Sequence, residues 1–91
     1  MSQSRYDIRF TGRVQGVGFR MTAQRVARDY TVAGWVRNEP DGSVRCVTEG
    51  ETSELDRFVE AVQHAMAGNI QDTQIQRSTA TGEFTEFSIR H

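Results

Sequence analysis

The chain has 91 residues and a formal net charge of -1, and all eleven of its basic residues are arginine. At this length one domain spanning residues 1–91 is expected, with a modest core that buries little more than ~60% of the unfolded surface. The near-neutral, mixed charge argues against nucleic acid and acidic membranes as partners. With no apolar run near the ~18 residues of a spanning helix and no signal-like segment after Met1, a cytoplasmic monomer is expected.

Tyr6, Ile8 and Phe10 alternate with Asp7, Arg9 and Thr11, the pattern of a half-buried strand. A glycine-punctuated loop follows. From Phe19, an apolar stripe of Phe19, Ala23, Val26, Ala27 and Tyr30 recurs at helical spacing. Residues 31–37 are β-branched and aromatic, and Asn38-Glu39-Pro40-Asp41-Gly42 is a turn leading into a strand at 43–49, so a hairpin closed by Gly50 is expected. A second helix should start at Thr52 or Ser53, with Ser53 and Asp56 at capping-box spacing. It should bury Leu55, Phe58, Val59, Val62 and Met66 and end at Gly68-Asn69. Residues 73–79 read as a strand with Ile75 as its only bulky apolar residue, and residues 83–90 as a terminal strand.

The order β-α-β-β-α-β predicts an α+β, ferredoxin-like sandwich, a four- or five-stranded antiparallel sheet with two helices on one face. Phe19, Val26, Phe58 and Val62 should be core, with Tyr30 and Met66 at its edge. The lone cysteine, Cys46, lies in a strand-like run and reads as a buried, inert thiol. Together with the isolated His64 and His91 it gives no metal-ligand spacing, and neither metal nor cofactor is expected.

Two segments carry chemistry. The first is Gly12-Arg13-Val14-Gln15-Gly16-Val17-Gly18-Phe19-Arg20, between the first strand and the first helix. Glycines let consecutive backbone N–H groups turn toward one point, and a helix N-terminus adds unpaired donors. Arg20 falls in the first helical turn, where the helix dipole disfavours a cation unless it faces a bound anion. Taken alone, the glycines could equally make a tight connection and Arg20 be a solvated charge. A P-loop is excluded by the absence of Gly-Lys-Ser/Thr, and a dinucleotide fingerprint by Met21 where its third glycine would stand. The second segment is Gly34 to Val44, with Asn38 at the junction of strand and turn; the bland alternative is that Asn38 bonds its own backbone. If the first two strands lie close in the sheet, Asn38 and Arg20 share one place.

These two segments resemble the two signatures of the acylphosphatase family, at the family's relative spacing. The likeness extends over nearly the whole chain, including the closing Phe87-Ser88-Ile89, and departs from the family pattern at Ala67-Gly68-Asn69-Ile70-Gln71, where many members carry Gly-Pro. The resemblance implies metal-independent hydrolysis of acyl phosphates to a carboxylate and inorganic phosphate. By the same likeness Arg20 binds the phosphate together with the backbone N–H groups of Gln15, Gly16, Val17, Gly18 and Phe19, and Asn38 orients the attacking water. The rival expectation is a domain that keeps this scaffold to bind a phosphorylated ligand. RNA binding is disfavoured because the strand at 43–49 carries no aromatic residue. Glu39 and Asp41 would repel a phosphate and read as turn residues.

Overall fold

The computed structural model describes residues 2–91. In chain order it contains β1 (Gln3–Gly12), α1 (Phe19–Ala27), β2 (Val32–Asn38), β3 (Val44–Glu51), α2 (Thr52–Ala65), β4 (Ile70–Thr79) and β5 (Phe87–Arg90). The strands form one sheet in the order β4-β1-β3-β2-β5. Tyr6, Ile8 and Phe10 of β1, Val36 of β2, and Val44 and Cys46 of β3 face the helices. They pack there against Phe19, Ala23 and Ala27 of α1 and Leu55, Phe58, Val59 and Val62 of α2. This is the expected ferredoxin-like α+β sandwich.

The sheet is mixed, not wholly antiparallel, because β5 pairs parallel to β2. β4 runs antiparallel to β1 and ends where β1 begins, and residues 80–86 then cross to the opposite edge of the sheet. A strand starting from that end must run in the same direction as β1 and β2. β5 is also shorter than the alternation over residues 83–90 suggested. Phe84 lies in the crossing segment under the Arg5 guanidinium, 5.3 Å from ring centroid to Cζ, instead of in a ladder. β4 starts three residues earlier than expected, at Ile70 beside Gly12. As an edge strand it is held by backbone pairing to β1 and needs little apolar alternation.

Helix ends also depart from the sequence signals. In α1 the last turn tightens, with N–H groups of Arg28, Asp29 and Tyr30 bonding three residues back, so Tyr30 lies beyond the helix, partly buried at the core's edge. Val26 is only partly buried. α2 starts at Thr52 with Glu51 as N-cap, and no side-chain cap bond forms. The Ser53–Asp56 capping box is displaced by tertiary contacts: Asp56 accepts from the buried Tyr6 hydroxyl at 2.5 Å, while the Thr52 N–H donates to the Ser2 carbonyl at 3.1 Å. The helix stops at Ala65, with Met66 as C-cap, before Gly68 is reached. Cys46 is buried, and that burial, followed by the charge of Asp7, pushes its thiol pKa well up, as befits an inert group.

The sheet face without helices is covered by arginine. Arg90, Arg37, Arg45 and Arg9 occupy one register row across β5, β2, β3 and β1. The guanidiniums of Arg37, Arg90 and Arg45 lie 4.8, 4.8 and 5.6 Å from the Trp35 ring centroid, which leaves that indole only 7% exposed.

Candidate active site

β1 and β2 flank β3 and run in the same direction, so their C-terminal ends emerge at one end of the sheet. β1 leads there into residues 13–18 and α1, and β2 into residues 39–43 and β3. In the first connection Gly16 and Gly18 take left-handed backbone angles, φ 76° and 74°. A Cβ would meet nothing at either position, so it is the backbone angle, not space, that calls for glycine. Gly18 is the N-cap of α1 and supplies no side-chain cap. Among the described residues, none of the backbone N–H groups of Gln15, Gly16, Val17, Gly18 and Phe19 has a hydrogen-bond partner. Unpartnered donors in succession at a helix start are able to take an anion.

Arg20 and Asn38 open onto the same cavity, of about 150 Å³, lined also by Val14, Gly16, Gly18, Phe19 and Met21. The two sequence segments therefore meet, as the topology condition required. Arg20 is steadied from β5: its Nη1 donates to the Arg90 carbonyl at 3.4 Å and lies 3.1 Å from His91 Nδ1. Its other two nitrogens have no partner among the described residues. The Asn38 side chain likewise has none, which sets aside the alternative that it bonds its own backbone. Of the expected phosphate-binding positions, Gly16, Gly18, Phe19 and Arg20 line the cavity, and Gln15 and Val17 do not.

Gln15 does something that sequence reasoning missed. Its Nε2 donates to the carbonyls of Glu39 (2.7 Å) and Ser43 (2.9 Å), tying the glycine loop to the turn that follows Asn38. Asn69 braces the other side: its carbonyl accepts the Arg13 N–H at 2.9 Å, and its Nδ2 donates to the Arg13 carbonyl at 3.0 Å. Asn69 lies in the connection between α2 and β4, which here buttresses the loop.

The nearby acids are neutralised. Glu39 accepts from Arg37 Nε and Nη2 at 2.9 and 3.3 Å. Asp41 accepts the Ser43 hydroxyl and N–H at 2.6 and 2.9 Å and pairs with Arg9 at 2.9 Å. Bonds from the Ser43 hydroxyl and N–H lower the Asp41 pKa. Both carboxylates are thus engaged in the turn and with arginines of the open sheet face. A larger cavity, of about 550 Å³, lies at the other end of the sheet between the start of β2 and residues 80–85. The carboxylate lining it, Glu49, is saturated with donors, which leaves that cavity without a free charged group for chemistry. No cluster of three or more His, Cys, Asp or Glu able to hold a metal ion occurs among the described residues, and no helix is long and apolar enough to cross a membrane.

The acylphosphatase family model matches residues 6–89. An acylphosphatase from Salinibacter ruber is 43% identical over 90 residues, covering 98% of this chain and 95% of that protein. The crystal structure of acylphosphatase from Bacillus subtilis superposes with a TM-score of 0.86 at 36% identity, over 97% of this chain and 99% of that one. HypF from T. kodakarensis matches with a TM-score of 0.82 at 26% identity, over 97% of this chain and 12% of that one. The glycine loop, Arg20, Asn38 and the sandwich that brings them together belong to a chain of the acylphosphatase family, whose enzymes hydrolyse acyl phosphates.

Proposed function

We propose that the cavity between the 13–18 loop and the end of β2 binds the phosphoryl group of an acyl phosphate and hydrolyses it without a metal. The observation that carries this reading is the run of unpartnered N–H groups at residues 15–19, of which Gly16, Gly18 and Phe19 line one cavity with Arg20 and Asn38. The phosphoryl oxygens take these N–H groups and the free edge of the Arg20 guanidinium, whose planar fork engages two oxygens at once. Asn38 accepts a hydrogen bond from a water and holds it in line with the bond to be broken. As the water oxygen bonds to phosphorus, the P–O bond to the acyl group breaks and its electron pair leaves with the carboxylate.

The parts list is short because the chemistry asks for little. Phosphoryl transfer depends chiefly on positioning and on stabilising charge spread over the peripheral oxygens. A carboxylate with a conjugate-acid pKa of ~4 departs unprotonated at neutral pH, so no general acid is needed. Asn38 is neutral, and the water's proton passes to a phosphoryl oxygen of the substrate itself. Sequestered by Arg37 and Arg9, Glu39 and Asp41 neither serve as the base nor repel the substrate.

Phosphate release from benzoyl phosphate in the presence of a chelator tests the reading, with the parent compared with Arg20→Lys and Asn38→Ala, all shown to be folded. Rapid turnover by the parent alone is expected. A parent no faster than buffer would favour the phosphate-binding alternative, a role compatible with the similar fold occupying 12% of the longer HypF chain. A pH–rate profile with an essential enzyme base titrating near neutrality would contradict the proton route.

A further inference from the structure

The proposed phosphoryl site leaves the acyl group of the substrate unaccounted for, and Met21 lines the same cavity. A cavity of about 150 Å³ encloses a phosphoryl group and little more, since pockets that engulf a drug-sized molecule run to ~300 Å³ and above. The acyl portion therefore projects from the mouth. Met21 lines that cavity and is 72% exposed, the only large hydrophobic side chain so exposed among the described residues. Packing does not explain it. α1 buries Phe19, Ala23 and Ala27, and Met21, two residues after Phe19, falls about 200° around the helix from that position, off the core stripe.

We infer that Met21 is a specificity-determining residue, a flexible apolar platform for the acyl side of the substrate that favours acyl phosphates with an aromatic or extended aliphatic group over acetyl phosphate. An unbranched thioether with three rotatable bonds adapts to acyl groups of different shape and makes favourable contact with an aromatic ring. The inference rests on the proposed phosphoryl site, because it takes its geometry from a phosphate seated beside Arg20.

The test is the ratio of kcat/KM for benzoyl phosphate to that for acetyl phosphate, measured for the parent, Met21→Ser, Met21→Leu and Arg20→Ala. Comparing ratios between variants cancels the intrinsic reactivities of the two substrates. Removing the apolar contact should lower the ratio about four- to fifteen-fold, the worth of one or two buried methylene groups, chiefly through KM for benzoyl phosphate. Met21→Leu should restore most of the ratio. Inhibition by inorganic phosphate, which has no acyl part, should be the same in Met21→Ser as in the parent. An unchanged ratio in Met21→Ser, with Arg20→Ala still strongly impaired, would overturn the role of Met21 and leave the phosphoryl site standing. Full activity in Arg20→Ala would overturn the site, and this inference with it.

Discussion

Each end of the sheet gathers backbone N–H groups and an arginine, at one end around a carboxylate of the chain and at the other without one. At the end where β1 begins, the carboxylate of Glu49 accepts the N–H groups of Thr81 and Gly82 at 2.9–3.0 Å, the Thr81 hydroxyl at 2.8 Å and the Arg5 guanidinium at 2.9 Å. At the end where β1 finishes, the N–H groups of residues 15–19 and the Nε and Nη2 of Arg20 have no acceptor among the described residues, and only the Arg20 Nη1 is engaged, by the Arg90 carbonyl. The first arrangement closes the crossing from β4 to β5 and contributes stability. The second leaves its N–H donors available, as the proposed anion site requires. What separates structure from function here is whether the fold supplies the anion.

Substitutions at the two ends should therefore read out on different instruments. The largest effect is expected for Arg20→Ala: a loss of ~1,000-fold in turnover with weaker phosphate inhibition, seen in steady-state kinetics, and almost no change in thermal midpoint. Glu49→Gln should do the reverse, costing about 3 kcal/mol in denaturant unfolding while the folded fraction keeps its turnover. Burial of Glu49 works to raise its pKa, but the N–H groups of Thr81 and Gly82, with the Arg5 and Thr81 side chains, hold it at about 2 against an ordinary 4.5. Because the folded pKa is the lower one, this stability is full above about pH 4.5 and lost as pH falls toward about 2. Glu49→Gln should flatten that part of the acid-unfolding profile.

Asn38→Ala comes next, with turnover falling ~100-fold while inhibition by inorganic phosphate persists, since the amide is assigned to the water and not to the phosphate. Gly18→Ala should cost ~1–2 kcal/mol of stability, because alanine resists the left-handed angle. It should also lower turnover by re-aiming the adjacent N–H groups. Unchanged kinetics in that variant would mean that the loop's shape is not what binds the substrate.

How much of this was legible in the sequence depended on how local each feature is. The glycine loop, Arg20 and the Asn38 turn are contiguous runs whose backbone needs are written in residue type, and the element order led from them to a shared end of the sheet. Contacts between distant segments were not legible: nothing in a glutamine at 15 announces the carbonyls of Glu39 and Ser43, nor does a histidine at 91 announce Arg20. The capping box at Ser53 and Asp56 was a sound local signal overridden by Tyr6, a residue 50 positions from Asp56. The parallel pairing of β5 was hidden because strand alternation carries no direction. It is set by the end of the sheet at which residues 80–86 cross.

The contrast between a filled and an open cradle is most directly tested by following backbone amide resonances while inorganic phosphate is added to the parent and to Arg20→Ala. The account predicts saturable shifts at Gln15, Gly16, Val17, Gly18 and Phe19 in the parent, much weaker ones in the variant, and none at Thr81 and Gly82, whose N–H groups Glu49 already holds. Shifts absent from residues 15–19, or equal at both ends of the sheet, would contradict it.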